Sequence, residues 1–234
     1  MPFQPIEPRR LYRQIADQIR LLIQGGEFPI GARLPPERDL ALKLGVSRPS
    51  VREALIALEV EGWVEVRMGS GIYVSSNDAA DSVVAESPLE TIRARQLVEG
   101  ELAAKAAELA TPEHVAGLRE ALQTMQVEAA AGQVPIQGDR LFHMRIAEIV
   151  NNSVLLRVVG ELFDERHNPL SLKLGDYFEN PASWQAAIAE HTRVVDAIAA
   201  GDVSCARDAM RHHLSCSHDR FTANWIPASE KGKP

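Results

Sequence analysis

Apolar residues recur at helical spacing from the start of the readable pattern. Leu11, Ile15, Ile19, Leu22 and Ile23 form one stripe and predict an amphipathic helix over 11–23. The stretch GGEFPIGARLPP, rich in glycine and proline, ends it. A short helix is predicted over 37–44, followed by a tight turn on Gly45 and a second helix from Arg48 to Glu61. Val51, Ala54, Leu55 and Leu58 give that helix an inward face, and Ser47 stands where its hydroxyl can accept from the first free amides. Gly62 stops it. Two short apolar runs, Val64–Arg67 and Ile72–Val74, are joined by Met68-Gly69-Ser70-Gly71 and read as a β-hairpin.

Beyond the hairpin the pattern changes. Ser75 to Glu86 is small and polar, as expected of a linker. From Ser87 onward the periodicity is helical throughout. Ser87-Pro88-Leu89-Glu90 is a capping box with proline at the first helical position. Thr111-Pro112-Glu113 and Asn180-Pro181 open further helices, and Gly201-Asp202 separates a last one that runs to about Phe221. Six or seven helices are expected there. The predicted fold is mainly α: a winged helix-turn-helix at 1–76, a linker at 77–87, an all-helical bundle at 88–225 and a tail at 226–234.

Composition supports this division. Hydrophobic residues make up 45% of the 234, enough for one large core or two smaller ones, and aromatics only 5%. No apolar run reaches the length of a membrane span, and the N-terminus has no apolar signal region. Cys205 and Cys216 are too few for a disulfide framework and lack zinc-finger spacing. A cytoplasmic protein without membrane contact is expected. The net charge of −7 is unevenly placed: 1–76 carries +1 and the remainder −8. A locally basic face on the first part therefore stays open, and a face matters more than a sum for binding phosphates.

A helix, a glycine turn and a second helix opening with Ser47-Arg48 place the N-terminal side chains of that second helix for a major groove. Arg48 and Arg52 are four residues apart and share a face, and an arginine fork can hold guanine or clamp a phosphate. Arg38 opens the preceding helix and can reach the same groove edge, while Gly69 and Gly71 let the hairpin backbone approach DNA closely. The segment Leu11–Val74, with its blocks PPERDLA, GVSRPSVREAL and GSGIYV, resembles the winged-helix domain of GntR-family regulators. The resemblance implies operator contacts from Arg38, Arg48 and Arg52, and a wing contact at Gly69.

In the second part, Asp139 and His143 are i, i+4 on one predicted helix, and His191 and His213 lie on later ones. One carboxylate and three imidazoles in a helical bundle suit a divalent transition metal such as zinc, nickel or manganese. Spacing alone leaves this beside the plainer reading of surface or core histidines. The region from Leu89 to about Phe221 is similar to the FCD sensor domain of FadR-type regulators, through ARQLVEGELAAKAA, GDRLFHMRIAEIVNNS and EHTRVVDAIAAGDVSCARDAMRHHL. That resemblance implies an ion held by Asp139, His143, His191 and His213, with His213 preferred to its neighbour His212.

It further implies a small organic acid as effector, with Arg95 and Asn152 on the pocket side. Each has an alternative: a helix-surface pair with Glu99 for Arg95, and an N-cap before Ser153 for Asn152. Arg145 and Arg166 are also within possible reach of a ligand. SRPSVREALIALEVEGWVEVR and LETIRARQLVEGE look most like hexuronate or aldonate repressors. The expected protein is a homodimeric repressor that leaves double-stranded operator DNA when it binds a sugar acid. A metal-responsive regulator and a metalloenzyme are the alternatives, although no general base with supporting spacing stands out.

Overall fold

A computed structural model describes residues 10–75 and 85–223. Residues 77–84 of the expected linker and the expected tail at 226–234 lie outside the described residues. Within them the chain forms two compact units, divided between Ser87 and Pro88.

The first unit is built on α1 (Leu11–Gln24), α2 (Glu37–Leu44) and α3 (Arg48–Val60), followed by β1 (Val64–Arg67) and β2 (Gly71–Val74). On α1 the buried side is Tyr12, Ile15, Ala16 and Ile19, while Leu11 and Leu22 are exposed. The stripe read from sequence is thus turned by about one residue, because Tyr12 buries its ring and Leu22 finds no partner face. Gly45 ends α2 in the left-handed conformation, φ 66°, which glycine adopts without a Cβ clash. Ser47 caps α3, its hydroxyl accepting from the Ser50 amide at 3.3 Å. Helix α3 buries Val51, Ala54, Leu55, Ile56, Ala57 and Leu58, more of its circumference than an amphipathic stripe requires.

The strands pair antiparallel, Val64 with Val74 and Arg67 with Gly71. Arg33 bridges to Tyr73 on the other side of β2, and the Leu34 amide donates to the Ile72 carbonyl at 2.8 Å, so the segment before α2 finishes the small sheet.

Residues 85–87 were expected in the linker, but they are fastened to this first unit. The Tyr12 hydroxyl donates to the Ala85 carbonyl at 2.7 Å, and Arg10 donates to that carbonyl and to the Glu86 carboxylate. The buried Ser87 hydroxyl donates to Glu53 Oε1 on α3 at 2.6 Å.

The second unit holds seven α-helices among the described residues: α4 (Pro88–Leu109), α5 (Pro112–Ala130), α6 (Ile136–Ile149), α7 (Ser153–Asp164), α8 (Pro169–Phe178), α9 (Pro181–Ala199) and α10 (Val203–Thr222). A 3₁₀ turn, Glu165–His167, precedes α8. Three helices begin at proline behind a capping side chain: Thr111, Asn168 and Asn180 each accept from amides of the first turn. Asp202 caps α10 by accepting from the Cys205 amide at 2.9 Å.

Helices α4, α9 and α10 pack together, α5 lies against α6 and α9, and the core contains Ala103, Ala106, Leu118, Phe142, Ile146, Val194, Ile198 and Met210. Each large apolar side chain buried there contributes about 1.5–3 kcal/mol. Alanines 103, 104, 106 and 107 are buried on α4 and give it a low profile where it packs against its neighbours, α10 foremost. Gly138 on α6 serves the same end. A Cβ there would stand 2.5 Å from the backbone nitrogen of Met125 on α5.

Candidate functional site

In the first unit the helix-turn-helix presents its arginines unequally. Arg38 extends from the first turn of α2 and is exposed. The Arg48 side chain is about half exposed (45%), and its Nε donates to Glu37 Oε1 at 2.9 Å. Arg52, one turn further along α3, is 1% exposed. Its Nη2 donates to both Glu37 oxygens, at 3.0 and 3.2 Å, and its Nε donates to Oε2 at 3.2 Å. Burial pulls the Arg52 guanidinium below its ordinary pKa, and Glu37 opposes that.

The sequence reading sent Arg48 and Arg52 toward DNA as equals. In the structure only Arg48 stands at the surface, because the acid that opens α2 draws Arg52 inward. Gly69 sits at the hairpin turn with φ 73° and is exposed. Arg67 lies over the Tyr73 ring, 4.6 Å from its centroid, and braces the hairpin.

In the second unit Asp139, His143, His191 and His213 are brought together from α6, α9 and α10. All four are buried, and each offers a ligand atom within 4.8 Å of the others. Asp139 Oδ1 lies 3.0 Å from His191 Nε2 and 3.4 Å from His143 Nε2, and the two Nε2 atoms are 3.3 Å apart. The other side of each ring is anchored. His143 Nδ1 contacts Glu99 Oε2, His191 Nδ1 faces the Ala187 carbonyl at 2.7 Å, and His213 Nδ1 faces Glu190 Oε2 at 2.9 Å. Arg220 completes the support by donating to both Glu190 oxygens, at 2.8 and 3.1 Å. Arg166 occupies the second oxygen of Asp139 and donates to Glu179 at 3.1 Å.

The protonation pattern follows from these neighbours. Burial would raise Asp139, but Arg166, His143 and His191 hold its carboxyl well below the usual range. Burial would likewise raise Glu99 and Glu190. Arg95 and His143 hold Glu99 down to about 2, and His213 and Arg220 hold Glu190 down to about 2. Burial and the nearby His191 push His213 down to about 3, so it is neutral at physiological pH. Burial would lower His143 as well, but Glu99 outweighs it and raises the ring's pKa.

Beside the cluster a cavity of about 420 Å³ is lined by Ile92, Arg95, Ile136, Arg166, Glu179 and Phe221 among others. A smaller chamber of about 60 Å³ shares Arg95, Arg166, Glu179 and Phe221 with it and is also lined by Asp139, His213 and Trp184. Arg95 is buried. Its Nε donates to Glu99 Oε1 at 2.6 Å, while its Nη2 is buried without a hydrogen-bond partner among the described residues.

Of the residues expected near a ligand, Arg95 and Arg166 line both spaces and Asn152 lines neither. The exposed Asn152 caps α7, its side-chain oxygen accepting from the Val154 and Leu155 amides at 3.1 and 3.2 Å. Arg145 is also elsewhere, donating to the Gly117 carbonyl and pairing with Glu120 at 3.2 Å. Glu99 was legible only as a partner for Arg95, and Glu190 and Arg220 were not legible as parts of the site. Their one sequence signal is helical spacing to a ligand: Glu190 immediately precedes His191, and Arg220 lies seven residues beyond His213.

A winged helix-turn-helix followed by an all-helical unit with a buried Asp/His₃ cluster defines a class of bacterial regulator, and comparison with known proteins agrees. Residues 11–74 match the family described as bacterial regulatory proteins, gntR family, and residues 90–215 match the FCD domain. The chain is 37% identical over 217 residues to the Uxu operon transcriptional regulator of Escherichia coli K12, covering 88% of this chain and 84% of that protein. It is 36% identical over 221 residues to the Exu regulon transcriptional regulator of the same strain, covering 89% and 83%. Among solved structures it resembles E. coli McbR/YncC, with 25% identity, a TM-score of 0.52, and coverage of 92% of this chain and 98% of that one. The protein belongs to the GntR family, in its FadR-type branch with an FCD domain, and is a DNA-binding transcriptional regulator. Its family and relatives are regulators rather than enzymes. No helix among the described residues is long and apolar enough to cross a membrane.

Proposed function

We propose that the protein is a homodimeric repressor that leaves its operator when a small organic acid, of the sugar-acid kind, binds beside a divalent metal in the second unit. The observation that carries this reading is the anchored donor set. Three buried imidazoles and one carboxylate oxygen converge; acceptors hold Nδ1 of His191 and His213, and Nδ1 of His143 lies against the Glu99 carboxylate. Such acceptors fix tautomer and orientation in metal-ligating histidines. The donor chemistry fits zinc, nickel or manganese. Asp139, His143, His191 and His213 would hold the ion, which when bound would supply a Lewis-acidic position for an oxygen ligand. Arg95, with an unpaired Nη2 on the cavity, would receive the acid's carboxylate. A cavity of about 420 Å³ falls within the range of small-molecule sites.

At the operator, Arg38 and Arg48 would contact DNA from α2 and α3, and Gly69 would bring the hairpin backbone close to it. Arg52 would act one step back. Glu37 serves two guanidiniums, and without Arg52 its charge would be left to neutralise Arg48 alone. A dimer would place two recognition helices on a two-fold operator. The acid can shift the protein off DNA only if it binds one dimer geometry better than the other.

The test is an operator-shift titration with candidate sugar acids on metal-loaded and chelator-stripped protein. Release by an acid only in the loaded form supports the reading. Release on metal removal at constant acid would instead make the ion the signal.

A further inference from the structure

Among the described residues, Arg95 Nη2 and Trp184 Nε1 are buried donors without a hydrogen-bond acceptor, and both residues line the smaller chamber. Trp184, near the start of α9, lines the inner chamber together with Asp139, His213 and Arg95. An indole nitrogen donates and cannot accept, so only an acceptor satisfies it. Buried polar groups in folded proteins nearly always have partners, and those that lack one call for an explanation. Several other polar groups near the chamber are committed. The Ser183 hydroxyl donates to the Asn180 carbonyl at 2.8 Å, and Arg166 and Arg220 are engaged by carboxylates. Trp63 Nε1 is also buried and unpaired, but it lines neither space, so an unpaired indole alone carries no ligand meaning. The distinguishing feature of Trp184 is that it lines one chamber with Arg95, which also carries an unpaired donor, and with Asp139 and His213 of the cluster.

We infer that Trp184 is a specificity-determining donor of the effector cavity, reading a hydroxyl or keto oxygen carried by the acid beyond its carboxylate. The inference rests on the proposed acid-binding role of this cavity. A plain aliphatic acid spends its only acceptors on Arg95 and the ion. It would leave the buried Trp184 N–H without an acceptor, as it is in this structure. A hydroxy or keto acid brings the missing acceptor. Sites built to hydrogen-bond a substrate oxygen reject analogues that lack it far more strongly than apolar pockets discriminate by size. Trp184 thus supplies a physical reason for an oxygenated acid rather than a fatty one.

Calorimetric titration of the full-length, metal-loaded protein tests this with a panel of hexanoate, 2-hydroxyhexanoate, gluconate and galacturonate. At least one oxygenated acid should bind the wild type at least about tenfold more tightly than hexanoate. Trp184→Phe keeps an aromatic ring and removes the donor. It should reduce that preference to less than about threefold. The same panel followed by indole N–H NMR provides a second readout on the unaltered chain. The Trp184 signal should shift with the preferred acid and stay in place with hexanoate. An undiminished preference in Trp184→Phe, or an unmoved indole signal, overturns the role of Trp184 while leaving acid binding standing. Failure of every acid to bind the loaded wild type overturns both this inference and the acid-pocket reading.

Discussion

Arg52 and Glu37 are buried against each other where α2 meets α3, with the guanidinium Nη2 3.0 Å from the nearer carboxylate oxygen. Removing Arg52 leaves the buried Glu37 with only the half-exposed Arg48 as its partner, at a cost of up to about 3–5 kcal/mol. Arg52→Ala is therefore expected to lower the melting transition of the DNA-binding unit and to abolish specific operator binding. Arg48→Ala should abolish operator binding too, yet cost less stability, since its side chain is about half exposed and Arg52 still pairs with Glu37. Chemical denaturation beside an operator-shift assay separates the two. Equal stability loss in both variants would contradict the division of labour.

The histidine cluster should make stability depend on metal. At an ion concentration of about 100 times Kd, binding adds about 2.7 kcal/mol to the folded state. For a domain of this size that is a rise of about 5–10 °C in Tm, reversed by chelation. His213→Ala and Asp139→Asn should lose the ion by elemental analysis together with the Tm response. Glu99→Gln and Glu190→Gln should retain a site weakened about 10–100-fold. Purified protein that holds no metal and whose Tm ignores added zinc, nickel and manganese would end the metal reading.

Arg95 should separate effector response from the other functions. Arg95→Lys keeps a positive charge near Glu99 and removes the planar fork. Operator affinity without effector should stay within about twofold of wild type, and the acid concentration needed for release should rise at least about tenfold, as expected when a bidentate carboxylate partner is lost. An unchanged release curve would place the carboxylate elsewhere.

Asn152 and Gly138 mark two places where architecture speaks more clearly than composition. Asn152→Ala is expected to cost about 1 kcal/mol through the lost cap of α7 and to leave effector release unchanged. Gly138→Ala should cost about 1–3 kcal/mol, because its Cβ would meet the backbone of Met125 as well as its side chain, and the backbone cannot simply swing away. Thermal melts and an effector titration check both. A weakened effector response in Asn152→Ala would return that residue to the pocket.

These outcomes mirror what a linear chain can and cannot reveal. The caps Ser47, Thr111, Asn180 and Asp202 and the turn at Gly45 act on amides within four residues, so local pattern is enough to find them. The pairing of Asp139 with His143 is legible for the same reason, being one helical turn. Convergence of His191 and His213 on that turn depends on how α6, α9 and α10 pack, and spacing does not report packing. The family resemblance named those residues where periodicity could not. Burial is hidden too: Arg48 and Arg52 look alike at i, i+4, and only the position of Glu37 on the neighbouring helix divides them. The anchors Glu99 and Glu190 escaped for a related reason, since each reads as a helix-surface acid until its helix is docked.

The histidine cluster is lined off from solvent on most sides, and His143 and His191 have almost no exposed surface. Asp139 and His213 are the two that also line the inner chamber. An ion travelling to or from this centre would therefore pass through the space an effector would fill. Occupancy by the acid would act as a stopper, so metal exchange, followed with a colorimetric chelator, would slow as effector is added. The cavity's lifetime as a closed space would then set how long the regulator keeps the metal it has acquired.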